Sequence, residues 1–359
     1  MYHFGPGEKY LGKPKKNDSI HLTSRETLPY FRSVNVLAIV ARFMENLGID
    51  TETLLEGSGI RTEDLDDPDV FVTPEQELQV MRKIVTLSRN PKIGLVIGRM
   101  FHVGLYGKLG PAIISSDTVL DALEIGFKYI ALTLSYFQYD LRVKGDLAFM
   151  RMKELIDLKD LRIFICEREF SSLYRNTSDI IHSAIPLNEV RIAYPRPAHA
   201  AAYDEVFQCP VSFDTDEHMV IFDSRYLFMP LPLANPLARK TYERECKQAC
   251  LRLRKHETIR ERVRHNIQQQ HEGLPSFGKL VQNMNIAPRT LKRRLHEEGT
   301  SYRALAADIL KEKAIQLIRT TSMPLEEIAV ELGYTAPQNF YRAFKCWTGH
   351  TPSYYREKK

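Results

Sequence analysis

Two stretches of the C-terminal third repeat one pattern about 49 residues apart, and no other feature limits the possible folds as strongly. The first runs from Leu280 to Leu295 and the second from Ile328 to Phe344. Pro288, Leu291, Arg293 and Leu295 align with Pro337, Phe340, Arg342 and Phe344; with one extra turn residue in the second copy, Val281, Met284 and Asn285 align with Ala329, Leu332 and Gly333. Each copy reads as helix, tight turn, helix. Val281 and Ala329 are slim enough for the second helix to cross closely, and Asn285 and Gly333 stand where the turn needs a positive φ. Thr335 is placed to cap the second helix of copy two, and Pro337 suits its first turn, where a missing N–H is harmless. Leu291 with Leu295, and Phe340 with Phe344, recur at four residues and mark the buried stripe of each second helix. The opposite face carries Arg289, Thr290, Lys292 and Arg293 in the first copy and Gln338, Asn339, Tyr341, Arg342 and Lys345 in the second. These side chains suit base edges and phosphates, and they are the expected DNA-contacting set. A solvated charged face would explain one copy, but not two aligned ones.

Residues 257–359 resemble the DNA-binding domain of the AraC/XylS transcription regulators. The matching residues are Ala287-Pro288-Arg289-Thr290-Leu291 with Arg293, Leu295, Gly299 and Ser301; Pro324-Leu325, Ile328-Ala329 and Leu332-Gly333-Tyr334; and Asn339-Phe340, Arg342, Phe344, Gly349, Thr351-Pro352 and Tyr355-Arg356. Val281, Asn285 and Ala287 depart from the usual Ala, Gly and Ser/Thr. The resemblance implies two helix-turn-helix units, at about 277–298 and 325–348, that read successive major grooves of promoter DNA and work with RNA polymerase. Between them Tyr302, Leu305, Ala306, Ile309, Leu310, Ala314, Leu317 and Ile318 predict one linker helix with a single apolar stripe.

Charge divides the chain the same way. Residues 236–359 hold 24 Lys and Arg against 13 Asp and Glu, whereas residues 1–235 hold 26 against 32. A basic segment is suited to a polyanion, and the acidic remainder is not. The chain totals, 50 against 45, conceal the split.

Residues 30–235 are expected to form an α+β effector-binding and dimerisation domain, with 1–29 as a flexible leader and 236–256 as an interdomain helix. Helices are expected from Val34 to Met44, ending at Leu47-Gly48; from Thr51 to Glu56; from Pro74 to Ser88, with Thr73 as cap and Leu78, Met81, Ile84 and Val85 inward; and from Thr118 to Leu134. Ser135–Val143 and Leu147–Lys153 read as a hairpin about Lys144-Gly145-Asp146. A helix near Asp160–Ser178 and strands near Glu189–Tyr194 and Met219–Phe222 follow. From Leu237 to Gln270 one or two helices should carry Leu237, Tyr242, Cys246, Ala249, Leu253, Ile259, Val263 and Ile267 broadly on one side, the earlier part pairing with a second subunit or docking on the effector domain and the latter part opening the DNA-binding domain.

This region resembles the arabinose-binding-like effector domain of one AraC subgroup, through Leu54-Leu55, Gly59-Ile60, Leu65-Asp66-Asp67-Pro68, Gly104, Gly107, Leu109-Gly110, Ser115-Ser116, Thr118, Ala122-Leu123, Pro195-Arg196-Pro197 and Tyr203 to Phe213. The resemblance implies a small-molecule effector, lipid or amino-acid-like, and does not imply a sugar. Tyr129, Tyr136, Phe137, Tyr139, Phe164 and Phe170 could line an effector cavity, with ordinary core packing the stronger expectation.

Catalytic and metal sites are not expected. Asp64, Asp66, Asp67 and Asp69 read as a turn beside Pro68, and His102, His182, His199 and His218 complete no motif. Cys209-Pro210 lacks the following His and Arg of the methyltransferases that share this helix-turn-helix. Five scattered cysteines argue against disulfides and zinc, with Cys246 and Cys250 as small helix-face residues. No apolar run reaches the roughly 18 residues of a membrane span, and the N-terminus lacks a signal-peptide centre. The expectation is a cytoplasmic activator without cofactors, controlled by an effector; possible homodimerisation stays open. The alternative is a ligand-independent architectural DNA-binding protein whose first 235 residues serve only assembly.

Overall fold

The structure, a computed structural model, describes residues 20–24, 31–67, 70–256, 258–268, 274–321, 323–334 and 336–357. It divides into two compact units, Met1–Leu253 and Arg254–Lys359.

The N-terminal unit starts with strands β1 (His21–Thr23) and β2 (Arg32–Ser33), helices α1 (Asn35–Asn46) and α2 (Thr51–Leu55), and strand β3 (Phe71–Val72), which pairs with β2. Helices α3 (Pro74–Ser88), α4 (Ile93–Met100), α5 (Leu109–Ile114) and α6 (Val119–Lys128) follow. Strands β4 (Phe137–Lys144) and β5 (Leu147–Glu154) form the expected hairpin. Helix α7 (Arg162–Ile181), β6 (Leu187–Arg191), α8 (Ala201–Phe207), β7 (Val211–Ser212) and β8 (His218–Asp223) complete the domain, before α9 (Pro236–His256). The main sheet has the order β1-β4-β5-β8-β6-β7, antiparallel except for β6 with β7.

Local chemistry explains the element ends. Thr73 accepts from Gln76 N and Thr118 from Asp121 N, each with a reciprocal side-chain bond, so α3 and α6 both begin on capping boxes. Helix α4 crosses α7 at close range because Gly94 and Gly98 lack side chains. A Cβ at Gly94 would lie 2.7 Å from the Phe164 carbonyl oxygen, and one at Gly98 2.4 Å from that of Arg168.

Several expectations need correction. Of the leader expected over residues 1–29, residues 20–24 are described and hold an edge strand, β1, which pairs with β4 and sets Thr23 opposite Asp140; the rest lies outside the described residues. Val85 is 38% exposed; Val80 and the carboxylate residue Glu77 take the inner face of α3 instead. The helix expected to reach Leu134 ends at Lys128 and gives way to a 3₁₀ turn over Ile130–Leu132. Leu237 is 76% exposed and lies off the buried side of α9.

Glu77 is buried because two guanidiniums meet it. Arg32 Nη1 lies 3.0 Å from one of its oxygens and Arg168 Nη1 3.4 Å from the other, and both arginines also donate to the Leu134 carbonyl oxygen. The Arg32 guanidinium sits 4.0 Å from the Tyr136 ring centroid. This layer ties β2, α3 and α7 together, and removing one member of such a set strands a buried charge.

The C-terminal unit contains α10 (Ile259–Gln268), α11 (Phe277–Met284), α12 (Pro288–Glu297), α13 (Tyr302–Thr320), α14 (Leu325–Glu331), α15 (Pro337–Thr348) and α16 (Pro352–Glu357). It has two cores. Ile259, Val263, Ile267, Leu280, Leu291 and Leu295 close around Leu305 and Ile309 of α13; Ile328, Ala329, Phe340 and Phe344 close around Ala314 and Ile318 of the same helix. Leu305 to Ala314 and Ile309 to Ile318 are each nine residues, or roughly 900° of helical rotation, which is half a turn out of phase. The linker therefore carries two half-stripes on opposite faces, where a single stripe was expected.

Candidate DNA interface

Each helix-turn-helix unit is set by its turn. Asn285 adopts φ 51° and ψ 47°, and Gly333 has φ 84°, so both turns pass through the left-handed region as their sequences suggested. Ser276 caps α11 by accepting from Lys279 N, and Ser301 caps α13 by accepting from Ala304 N. Helices α12 and α15 start on Pro288 and Pro337, preceded by Ala287 and Ala336 without a side-chain cap. Thr335 lies outside the described residues. The far end of α12 is tied to α10 by the Glu298 carboxylate, which accepts from Ile259 N and Arg260 N at 2.8 Å each.

These constraints fix which way α12 and α15 face. Leu291, Leu295, Phe340 and Phe344 are buried. Arg289, Lys292 and Arg293 are exposed and, with Pro288, line an open concavity; Thr290 is half-buried. Gln338, Asn339, Arg342 and Lys345 are exposed and Tyr341 is half-buried. Three members of the set have local partners. Arg293 Nη1 meets Glu297 Oε1 at 2.5 Å along its own helix, Tyr341 donates to Glu326 Oε1 at 3.0 Å, and the Lys292 ammonium lies 5.3 Å from the Phe277 ring centroid. Arg293 is 62% exposed at its side chain, so solvent screens that ion pair and exchanging it for a phosphate or a guanine edge is inexpensive.

The N-terminal unit holds two adjoining cavities. One, of about 40 Å³, is apolar and includes Phe170 in its wall. The other, of about 110 Å³, lies among α5, α6 and α7 and has Tyr139, Glu169, Ser172 and Asn176 in its wall. Of the six aromatics considered from sequence, only Tyr139 and Phe170 border these cavities; Tyr136, Phe137 and Phe164 are core, and Tyr129 packs under α9. Glu169, Ser172 and Asn176 were missed, although their spacing of three and then four residues puts them on one face of α7.

Two histidines expected to be isolated have buried partners. His199 bonds to Glu167, which also accepts from Tyr203 OH at 2.6 Å, and burial pushes the Glu167 carboxyl up. His218 lies 3.0 Å from Glu154 and 3.6 Å from Cys166 Sγ. Ala193 N–H donates to His218 Nδ1, so Nε2 carries the proton and donates to Glu154, which also accepts from Arg162 at 2.7 Å. Glu154, Cys166 and His218 thus bring three ligand-type atoms within 4.8 Å of one another, a grouping that the sequence reading did not anticipate. Burial raises the Cys166 thiol well above its ordinary pKa, and it raises that of Cys246 to about 11, so neither is an activated nucleophile.

Comparison with known proteins agrees with this architecture. The model described as the arabinose-binding domain of AraC transcription regulators, N-terminal, matches residues 48–231, and a helix-turn-helix domain model matches residues 280–358. The ornithine utilization regulator of Pseudomonas aeruginosa is 31% identical over 334 residues, covering 92% of this chain and 97% of its own. The HTH-type transcriptional regulator VqsM of the same organism is 26% identical, covering 81% and 94%. The crystal structure of transcriptional regulator CdpR, again from Pseudomonas aeruginosa, shares 26% identity over 80% of this chain and 93% of that one, with a TM-score of 0.44. Among the described residues no helix is long and apolar enough to cross a membrane. The chain belongs to the AraC family: it is a DNA-binding transcription regulator with an N-terminal ligand-binding-like domain.

Proposed function

We propose that this regulator is a cytoplasmic activator that places α12 and α15 in successive major grooves of promoter DNA, recruits RNA polymerase, and responds to a small effector in its N-terminal unit. Arg289, Thr290, Lys292 and Arg293 form the first reading face, and Gln338, Asn339, Tyr341, Arg342 and Lys345 the second. One observation carries the reading: in both copies the aliphatic or aromatic stripe is buried while most of the aligned cationic and amide side chains stay in solvent. Such a division costs nothing in packing and leaves donors available for base edges and phosphates. Homodimerisation belongs to the same proposal. Of the two effector chemistries, the amino-acid-like one is favoured over the lipid, because a relative that spans nearly the whole chain is named for ornithine utilization.

The test is a salt-titrated gel shift on a fragment selected from genomic DNA by the wild-type protein. Arg293→Ala and Arg342→Ala should each cost about 1 to 3 kcal/mol if the side chain reads a base, or weaken all sequences alike and lower the salt slope by about one if it holds a phosphate. Unchanged affinity in both variants refutes the proposed interface. A reporter fused to the selected promoter should lose expression when the regulator is deleted; a gain would make it a repressor.

A further inference from the structure

The cavity of about 110 Å³ among α5, α6 and α7 has on the order of ten times the room a single water needs. Its polar wall includes two groups that can only accept, the Glu169 carboxylate and the Asn176 amide oxygen, among several hydroxyls. Tyr139 OH donates to one oxygen of Glu169 and also lies 3.1 Å from Ser135 Oγ. Burial and the neighbouring Glu169 push the Tyr139 hydroxyl far above its ordinary pKa, which keeps it a donor. The other Glu169 oxygen is 3.7 Å from Arg168 Nη2, beyond a direct hydrogen bond, because that guanidinium is drawn to Glu77 and to the Leu134 carbonyl oxygen at 2.8 Å. The carboxylate thus keeps acceptor capacity. Asn176 uses one pole of its amide on Tyr106 OH and Ser172 Oγ, both at 3.1 Å, while the opposite pole, although buried, has no partner among the described residues. An amide with an unmatched pole beside a carboxylate is costly unless a ligand or water meets it. The remaining wall is apolar apart from Thr133 and Thr177, whose hydroxyls donate to the Ile130 and Leu173 carbonyl oxygens.

The same wall carries α9. Cys246 is fully buried among Leu109, Ala112, Ile125 and Tyr129, with Tyr106 and Ile113 packed on that cluster. Tyr106, Leu109 and Ile113 therefore face the cavity and also support α9. Ion pairs fasten the helix further, Lys128 with Glu243 at 2.5 Å and Lys108 with Glu245 at 3.1 Å. Helix α9 runs on to His256, and the second compact unit begins at Arg254.

We infer that this cavity is the receptor for a compact primary ammonium compound with a short apolar body, whose ammonium meets the Glu169 carboxylate, and that occupancy shifts the seating of α9 through Tyr106, Leu109 and Ile113. The inference rests on the sensor reading above and supplies its ligand class and its route out of the domain. A pre-existing alternative seat for α9 would be favoured or disfavoured by the ligand's differential contacts with that shared wall.

The full-length protein is tested with n-pentylamine, using 1-pentanol and pentanoate as matched probes, in thermal melting and in mass-mapped alkylation of Cys246. Near hundredfold excess over its Kd, pentylamine should raise the melting midpoint of the N-terminal unit by roughly 5 °C, with the alcohol and the acid giving less than a third of that shift. It should also change the Cys246 alkylation rate at least threefold. Both effects should vanish in Glu169→Gln. They should vanish as well in Gly126→Leu, which fills the cavity from α6 where a Cβ would meet only Ile113 Cδ1, at 3.9 Å. No amine shift, an equal shift with pentanol, or a shift that survives Gly126→Leu overturns the ligand assignment; an unchanged alkylation rate at saturating amine overturns the route through α9. The same preparation is assayed for binding to its selected promoter fragment. Retained DNA binding with no amine effect defeats this inference alone, whereas a wild-type protein that binds no fragment defeats the regulatory reading beneath it.

Discussion

Inserting one alanine between Glu312 and Lys313 should uncouple the two helix-turn-helix units while each stays folded. The site follows from adjacent ion pairs that point to different subdomains: Glu312 pairs with Arg264 of α10, and Lys313 with Glu331 of α14 at 3.1 Å. On either side, the pairs Leu305 with Ile309 and Ala314 with Ile318 keep their own spacing and so their own cores. Alanine is the best helix former, so α13 should persist. One added residue turns the second unit by about 100° and advances it by about 1.5 Å. A recognition helix packed about 10 Å from the linker axis then moves by roughly 15 Å, more than the roughly 12 Å width of a major groove. The second contact is lost as an intramolecular event, so affinity for a two-half-site fragment should fall by about 10² to 10⁴ while affinity for one half-site is unchanged. Fluorescence anisotropy on the two fragments, with circular dichroism as a folding control, measures both. A four-alanine insertion, which leaves only about 40° of rotation but adds about 6 Å, should recover part of the loss. Wild-type affinity of the single insertion on the two-half-site fragment would refute the fixed-spacer argument.

Three further outcomes can be checked. Phe340→Ala empties the second core of the C-terminal unit and should cost about 3 to 5 kcal/mol in denaturant unfolding, with hydrogen exchange rising in α14 and α15 before α11 and α12. Asn285→Val forces a β-branched residue into φ 51° and should cost about 1 to 2 kcal/mol, whereas Asn285→Gly should be neutral or slightly stabilising, as read from the urea midpoint. Burial alone would raise the Glu154 carboxyl, but hydrogen bonds from His218 and Arg162 hold it below its ordinary value. Its contribution is therefore present above the unfolded-state carboxyl pKa of about 4.3 and is lost as pH falls through the lower folded value. Glu154→Gln should flatten the melting profile in that acid window, and an identical slope in both proteins would contradict the assignment.

The sequence was most legible where a periodic signal coincided with a special residue. Pro288 with Leu291 and Leu295, and Thr73 before Pro74, each combine a start signal with a buried stripe, and α12 and α3 begin where they should. Helices α4, α5 and α8 were not anticipated. The first two are short and rich in glycine and aliphatic residues, and their helical state is stabilised by close packing such as Gly94 and Gly98 against α7. Tertiary pairing also outweighed local pattern at Glu77, whose burial depends on Arg32, 45 residues earlier, and Arg168, 91 residues later. The linker helix was read as one stripe because Leu310 and Leu317 bridge two faces that are half a turn apart; both are only half-buried. The proposed DNA-contacting residues could be picked out because the buried members of each repeat define an inside, which leaves an outside. The cavity was not, because its polar groups lie on three separated segments brought together only by the fold.

Hydroxyl-radical footprinting of the full-length protein on its selected operator, with stoichiometry fixed by sedimentation, tests the central claim most directly. Two paired reading helices on one stiff spacer predict two protected tracts for each bound protomer, about 10 to 10.5 base pairs apart on one face of the duplex. A single tract per protomer, or two tracts whose separation survives the insertion between Glu312 and Lys313, would contradict it.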